Sequence, residues 1–177
     1  MAVALSLGTG VAALVGLNGF LRSALWNDER YHVPFAAIEC TPPAGLAREE
    51  FLTQVRQRAG LPEQVNLLEP GVASRLADAF ALHPWVAKVE QVEFTPAHAA
   101  RVRLRYRRPV LAAWADGKMR AVDEDGVLLP PEAPTAGLPQ FPGVAFPPTG
   151  AAGTRWGDAA VEVAARQQAK HAAPVAP

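Results

Sequence analysis

The stretch LHPWVAKVEQVEF, Leu82 to Phe94, decides the fold because a helical pattern stops within it and a strand pattern begins. Pro84 disfavours helical geometry in the residue before it, so the preceding helix is predicted to end at His83. Trp85 offers a large apolar surface beside the break, and Val86 starts the strand. We interpret this stretch as a joint. His83 is expected to cap the last helical carbonyls and to take part in no reaction.

Two helices are predicted before the joint. In LAREEFLTQVRQRAGLP, apolar residues recur at helical spacing, acidic residues come early, basic residues come late, and a Gly and a Pro follow. In PGVASRLADAFAL, Val72, Leu76, Ala79 and Phe80 share a face, and Pro70 is expected in the first turn. The short apolar segment Val33 to Cys40 before them predicts a strand or an extended lead-in.

The segment after the joint predicts a hairpin with its loop at residues 95–99. Residues 101–106 alternate Arg-Val-Arg-Leu-Arg-Tyr, which is the period of a strand with one buried face. Pairing Glu93 with Arg101 places opposite charges on the exposed face. Val89 is out of phase with Val92, which predicts a bulge. The arginines are therefore expected to pair with glutamates instead of binding nucleic acid, and residues 35–108 are predicted to form a β-α-α-β-β domain.

A second antiparallel unit is predicted from Pro109 onward. Its strand-like pieces are Val110–Trp114, Met119–Val122 and Val127–Leu129, and the breaks between them each contain the Asp-Gly hairpin signal. Residues 130–153 are rich in Pro and Gly and predict irregular chain. A helix is predicted over Thr154 to Lys170 with Thr154 as its cap, followed by a disordered tail at residues 172–177.

The chain opens on an apolar run without an ionisable side chain from Met1 to Leu21. About 20 helical residues cover the ~30 Å hydrocarbon core of a bilayer. Residues 1–25 are therefore predicted to be a transmembrane anchor. The composition excludes few classes of protein, because Lys plus Arg and Asp plus Glu both number 17 and the formal charges balance. The single cysteine, Cys40, excludes an intramolecular disulfide.

No catalytic, cofactor-binding or metal-binding residues are predicted. The acidic run Asp123-Glu124-Asp125 lacks the alternate ligands of a calcium loop and is better explained as a turn, in which Gly126 supplies a positive φ. The four histidines have no metal-ligand spacing, and the three serines lie outside any nucleophile-elbow context. The residues alone thus predict an α+β scaffold with an anchor.

The motifs LHPWVAKVEQVEF, RVRLRYRRPVLAAW, VDEDGVLLP and LPQFPG, in this order, resemble the FtsQ/DivIB cell-division proteins. The resemblance implies a bitopic α+β layout: a transmembrane helix, a POTRA-like domain at 33–108, and the start of an antiparallel β domain at 109–171. It further implies a non-enzymatic divisome scaffold in the cytoplasmic (inner) membrane at the septum, crossing it once, with its C-terminal domain in the periplasm. Implied partners are FtsB/FtsL-type coiled-coil proteins and septal peptidoglycan synthesis proteins.

The resemblance also suggests roles for individual residues. Partner contacts are expected at Trp85, Val86, Lys88, Arg107 and Pro109, and structural roles at Pro84, Trp114, Asp125 and Gly126. Tyr106 stands where the family has a Glu, and the chain ends before the family's distal partner-binding strands. Two alternatives remain. One is a POTRA-bearing protein of outer-membrane assembly or secretion, and the other is an envelope enzyme, which a cleft gathering His83, Asp123 and Asp125 would favour.

Overall fold

The computed structural model describes residues 29–96, 99–115 and 117–172. These residues form a small α+β structure with three α-helices and three two-stranded antiparallel sheets. In chain order the elements are β1 (His32–Pro34), α1 (Arg48–Ala59), β2 (Gln64–Asn66), α2 (Val72–Ala81), β3 (Val86–Phe94), β4 (Ala100–Tyr106), β5 (Pro109–Ala115), β6 (Lys118–Asp123) and α3 (Ala159–Ala172). Two short 3-10 helices, Glu29–Tyr31 and Phe35–Ala37, flank β1.

A first core lies between α1, α2 and the β3–β4 hairpin. Its largest side chains are aromatic: Phe35 stacks on Phe80 with ring centroids 6.1 Å apart, and Phe51 contacts Phe80 at 5.9 Å. All three are at most 2% exposed. The predicted end of α1 is confirmed, since Gly60 adopts the left-handed conformation there.

The β3–β4 register confirms the predicted hairpin. Glu93 lies opposite Arg101, and a register shift between Val89 and Gln91 marks the predicted bulge. Phe94 lies at the end of β3 next to the loop, and its side chain is 40% exposed.

A second core lies between the β5–β6 hairpin and α3. It is built mostly of small residues around one large one, Trp156, which is fully buried. Residues 127–129 form no strand, but Val127 and Leu128 make isolated bridges to Arg155 and to Val122. The second core is therefore closed by loop segments as much as by regular elements.

The predicted fold class is wrong in its order of elements. The first unit has four strands instead of three: the additional strand, β2, lies between the two helices and pairs with β1. The structure therefore has three separate two-stranded sheets instead of a β-α-α-β-β domain. The strand or extended lead-in predicted over Val33 to Cys40 is a strand only as far as Pro34, and the N–H of Phe35 donates one more hydrogen bond to the carbonyl of Glu63. The chain turns through a 3-10 helix, and Glu39 then makes a single parallel bridge to Arg101 on β4.

The predicted location as a single-pass inner-membrane protein at the septum is also corrected. Within residues 29–96, 99–115 and 117–172, no helix is long and apolar enough to cross a membrane. The longest, α3, has 14 residues, which span about 21 Å at the rise of an α-helix. The predicted anchor, residues 1–25, lies outside the described residues.

Two helix starts differ from prediction. Helix α2 begins at Val72 after a left-handed Gly71, so Pro70 precedes the helix. Helix α3 begins at Ala159 instead of Thr154, whose hydroxyl donates to the carbonyl of Ala151. The carboxylate of Asp158 accepts the N–H of Ala160 at 2.9 Å and so fulfils the capping role.

Candidate protein-binding site at the joint

The joint is coupled to the second unit by a buried ion pair. Arg107 donates from Nη1 to Oδ2 of Asp123 at 2.7 Å, and the two side chains are 14% and 1% exposed. The backbone N–H of Arg107 donates to the carbonyl of Trp85 at 2.9 Å. Arg107 thus connects Trp85, just after the helix break, to Asp123 in the turn that ends β6. Losing one partner of such a buried pair costs about 3–5 kcal/mol.

The acidic run forms a hydrogen-bonded turn, and the structure brings it to the joint. Oδ1 of Asp123 accepts the backbone N–H groups of Asp125 at 2.9 Å and Val127 at 2.8 Å. Gly126 has φ +80°, and a Cβ at this position would lie 2.6 Å from Cγ of Glu162 on α3. The glycine is needed for its φ and also for the close approach of α3.

His83 is buried at the helix break, with an exposed fraction of 1%. Its Nε2 lies 3.1 Å from Oε1 of Gln54, and the N–H of Trp85 donates to its Nδ1 at 3.3 Å. These partners assign the proton to Nε2. The predicted capping of helical carbonyls by the ring is therefore wrong. Burial, and secondarily the charge of Arg58, lowers the pKa of His83 to about 4, so the ring is neutral at pH 7.

A cleft of about 420 Å³ opens beside His83. One wall is α1, which contributes Glu50, Gln54 and Arg58. The opposite wall is the proline-rich segment 130–134, and Pro84 and Trp85 also line the cleft. Neither Asp123 nor Asp125 lines it, so the structure does not make the three-residue cluster that would favour an envelope enzyme.

A loop of the proline-rich segment presents two apolar side chains to solvent. Val144 is 99% exposed and Phe146 is 76% exposed. The backbone of Phe146 is nevertheless fixed on both sides: its N–H donates to Oδ2 of Asp158 at 3.0 Å, and its carbonyl accepts Nε1–H of Trp156 at 2.7 Å. Backbone N–H groups, first that of Phe146 and then that of Ala160, hold the pKa of the Asp158 carboxyl below its ordinary value.

The residues expected to contact partners fall into different environments. Trp85 is partly buried against a small apolar cluster that contains Leu129, and Val86 is only 2% exposed. Lys88 is exposed on β3, while Pro109 begins β5 opposite Asp123 and is partly buried. The structure therefore gathers Trp85, Arg107 and Pro109 at the joint and leaves Lys88 apart from it.

The residues expected to be structural also differ among themselves. Pro84 is buried at the joint, and Gly153 approaches it so closely that a Cβ there would lie 3.0 Å from its Cα. Asp125 and Gly126 belong to the turn. Trp114, in contrast, lies on the outer side of β5 with 61% of its side chain exposed, and it adds nothing to the second core.

The arginines of β4 pair with glutamates as predicted, but Arg101 and Arg105 have partners other than the expected Glu93. Arg101 contacts Glu39 at 2.7 Å, and Arg103 contacts Glu93 at 3.0 Å. Arg105 lies 3.4 Å from Glu124. A surface in which each guanidinium already meets a carboxylate has little excess charge for phosphates.

Sequence reasoning did not identify Gln54, Arg58, Val144 or Phe146 as site residues. The positions of Gln54 and Arg58 follow Glu50 at intervals of four, a spacing that places them on one helix face. Val144 and Phe146 lie two residues apart in a segment flanked by prolines, a pattern that indicates an extended loop with both side chains on the same side. Their exposure, however, depends on Trp156 and Asp158, which follow ten and twelve residues later.

Within the ranges that the structure describes, no group of three or more His, Cys, Asp or Glu side chains is arranged to hold a metal ion. Comparisons with protein-family models, with curated proteins and with solved structures find no match for this chain.

Proposed function

We propose that this chain is a non-enzymatic scaffold that binds and links proteins of bacterial septal cell-wall synthesis, as its resemblance to FtsQ/DivIB implies. The observation that carries the proposal is the loop with Val144 and Phe146, whose apolar side chains are exposed although the backbone of Phe146 is fixed. Exposed apolar anchors held in one conformation lose little entropy on binding and are typical of protein interfaces.

The loop suits the apolar stripe of a partner helix. Val144 and Phe146 are two residues apart, and Ala145 between them packs against the second core. Both polar backbone groups of Phe146 are already hydrogen-bonded, so a partner strand gains no ladder bonds there. Side-chain insertion between apolar residues of a helix is the remaining mode, and coiled-coil proteins of the FtsB/FtsL type offer such a face.

The buried Arg107–Asp123 pair supports the linking part of the proposal. It fixes the unit that carries the joint to the unit that carries the loop, and the cost of breaking it favours a single relative arrangement. A partner bound at the loop is then held at a defined position relative to the first core.

The direct test measures binding of the purified full chain to purified FtsB/FtsL-type proteins from the same bacterium by isothermal titration calorimetry. The double variant Val144→Ser, Phe146→Ser is expected to weaken binding about tenfold or more, as for the loss of interface anchors. Leu82→Ser is the matched control, because Leu82 is 60% exposed and outside the loop. Equal affinities for all three chains, or no binding by any, would contradict the proposal.

A cellular test is independent of the loop. Depletion of the chain is expected to give filamentous cells with few septa, and the undepleted cells supply the control. Normal division at full depletion would count against a role in septal synthesis, whatever the chain binds in solution.

A further inference from the structure

The cleft beside His83 has charged groups at both ends of one wall. Along α1, Glu50 and Arg58 are eight residues apart, which corresponds to about 12 Å at 1.5 Å per residue. Gln54 lies between them and bridges Glu50 to His83, accepting from the histidine at 3.1 Å and donating to Glu50 at 3.3 Å. The wall therefore runs from a carboxylate through neutral hydrogen-bonded groups to a guanidinium.

The guanidinium of Arg58 is available to a ligand. Among the described residues it has no carboxylate within ion-pair distance, whereas Arg56 contacts Glu63 at 3.7 Å and Arg48 contacts Glu49 at 3.9 Å. Arg58 is exposed and lines the cleft. The cleft also has apolar lining, to which Pro84, Trp85 and the prolines of segment 130–134 contribute.

Proline also shapes the opposite wall. Pro130, Pro131 and Pro134 have no backbone N–H, so this wall offers few donors to a bound chain and constrains its own backbone. A volume of about 420 Å³ lies in the usual range of ligand pockets, roughly 300–1,000 Å³. Glu132, on this wall, is the second carboxylate that lines the cleft.

We propose that this cleft binds an extended segment of a partner protein that carries a basic residue and an acidic residue three positions apart, with apolar residues between them. A strand rises about 3.3 Å per residue, so residues three positions apart lie about 10 Å apart, and their long side chains cover the remaining distance between Glu50 and Arg58. The basic side chain meets Glu50 and Glu132, the acidic one meets Arg58, and the apolar residues cover Trp85 and Pro84. This inference rests on the proposed scaffold function and names a second docking surface for it, remote in sequence from the Val144–Phe146 loop.

The charges of α1 also complement the helix dipole, with Glu50 in the first turn and Arg58 in the last. If the charges served only to stabilise the helix, reversing the charge of Arg58 would change stability and would leave ligand selectivity unchanged. A selectivity measurement therefore separates a docking site from a merely stabilised helix.

The test is an array of immobilised tetrapeptides with Val-Pro in the middle and Lys, Ala or Asp at each end, probed with the labelled full chain. Peptides with Lys at one end and Asp at the other are expected to bind best. Arg58→Glu is expected to weaken them about two- to fivefold, the range for a solvent-exposed ion pair, and to favour peptides with Lys at both ends. Arg56→Glu, two positions from Arg58 on the same helix and outside the cleft lining, is the matched control and is expected to keep the original ranking.

Circular dichroism of each variant checks that it is folded. A ranking that does not depend on the terminal charges, or that Arg58→Glu leaves unchanged, would overturn the proposal. So would a dimer of the chain that Arg58→Glu dissociates, because a second copy would then occupy the cleft. Binding of the coiled-coil partners through the Val144–Phe146 loop does not depend on these results, so the two proposals can fail separately.

Discussion

The two cores of this protein are stabilised in different ways. In the first core, three phenylalanines from the 3-10 helix, α1 and α2 pack together, and large aliphatic residues fill the space around them. In the second core, alanines, valines and two leucines surround a single Trp156, and a buried carboxylate organises the adjacent turn. The first core is built from apolar contacts among large side chains, whereas the second combines smaller side chains with the hydrogen bonds of Trp156 and Asp123.

The largest effect is expected from Trp156→Ala in the second core. The side chain is fully buried, and its N–H holds the carbonyl of Phe146, so truncation leaves both a cavity and an unpaired acceptor. We expect a loss of about 3–5 kcal/mol in the free energy of unfolding, measured by urea denaturation with circular dichroism. Trp114→Ala is the matched control, since its ring is 61% exposed, and it is expected to change stability by less than about 0.5 kcal/mol.

The buried ion pair at the joint comes next. Asp123→Asn keeps the shape of the side chain but leaves the charge of Arg107 without its partner, and we expect a loss of about 3 kcal/mol. Glu93→Gln makes the same chemical change in the exposed pair with Arg103, where less than about 1 kcal/mol is expected. Urea denaturation of the two variants side by side measures the difference. Equal losses of unfolding free energy would mean that the buried ion pair at the joint contributes no more to stability than the exposed pair on the hairpin.

The two Asp-Gly turns allow a third comparison. Gly126 and Gly117 both have positive φ, +80° and +72°, but a Cβ at Gly117 would meet nothing within 4 Å, whereas one at Gly126 would contact Glu162. Gly117→Ala is expected to cost about 1–2 kcal/mol from its backbone conformation alone. Gly126→Ala adds overpacking against α3 and is expected to cost about 2–4 kcal/mol. Thermal unfolding gives both values, and a Gly126→Ala loss no larger than that of Gly117→Ala would show that α3 can move away.

What the sequence predicts well is local. The helices α1 and α2, the end of α1 at Gly60 and the pairing of Glu93 with Arg101 follow from periodicity and turn chemistry within about 20 residues. Strand β2 escaped prediction because it has only three residues and pairs with β1 about 30 residues earlier. A strand this short has no measurable alternation, so only its partner defines it.

The candidate site is less predictable for a related reason. The joint at His83 to Val86 and the turn at Asp125 and Gly126 are visible as motifs, but their connection through Arg107 is a tertiary contact. The start of α3 was misplaced because Thr154 and Asp158 are both acceptable caps, and Asp158 gains one further contact from the fold, the N–H of Phe146. Loop exposure and cleft lining likewise depend on contacts between segments far apart in sequence.

The first core also gives the stability of the protein a pH dependence. His83 packs edge-on against Phe51 with ring centroids 4.7 Å apart and pairs with Gln54, and its burial near Arg58 lowers its pKa from 6.5 to about 4. The unfolded chain therefore binds one more proton than the folded chain between these values. The stabilisation is fully present above about pH 6.5 and is lost as the pH falls towards 4, below which no further loss arises from this group. Unfolding free energies measured across this window should fall more steeply for the native chain than for His83→Asn, whose amide oxygen can still accept the N–H of Trp85. Carboxylates titrate in both chains, so their contribution cancels in the difference. Parallel curves would therefore mean that protonation of His83 does not destabilise the folded state and that the joint tolerates a charged imidazole.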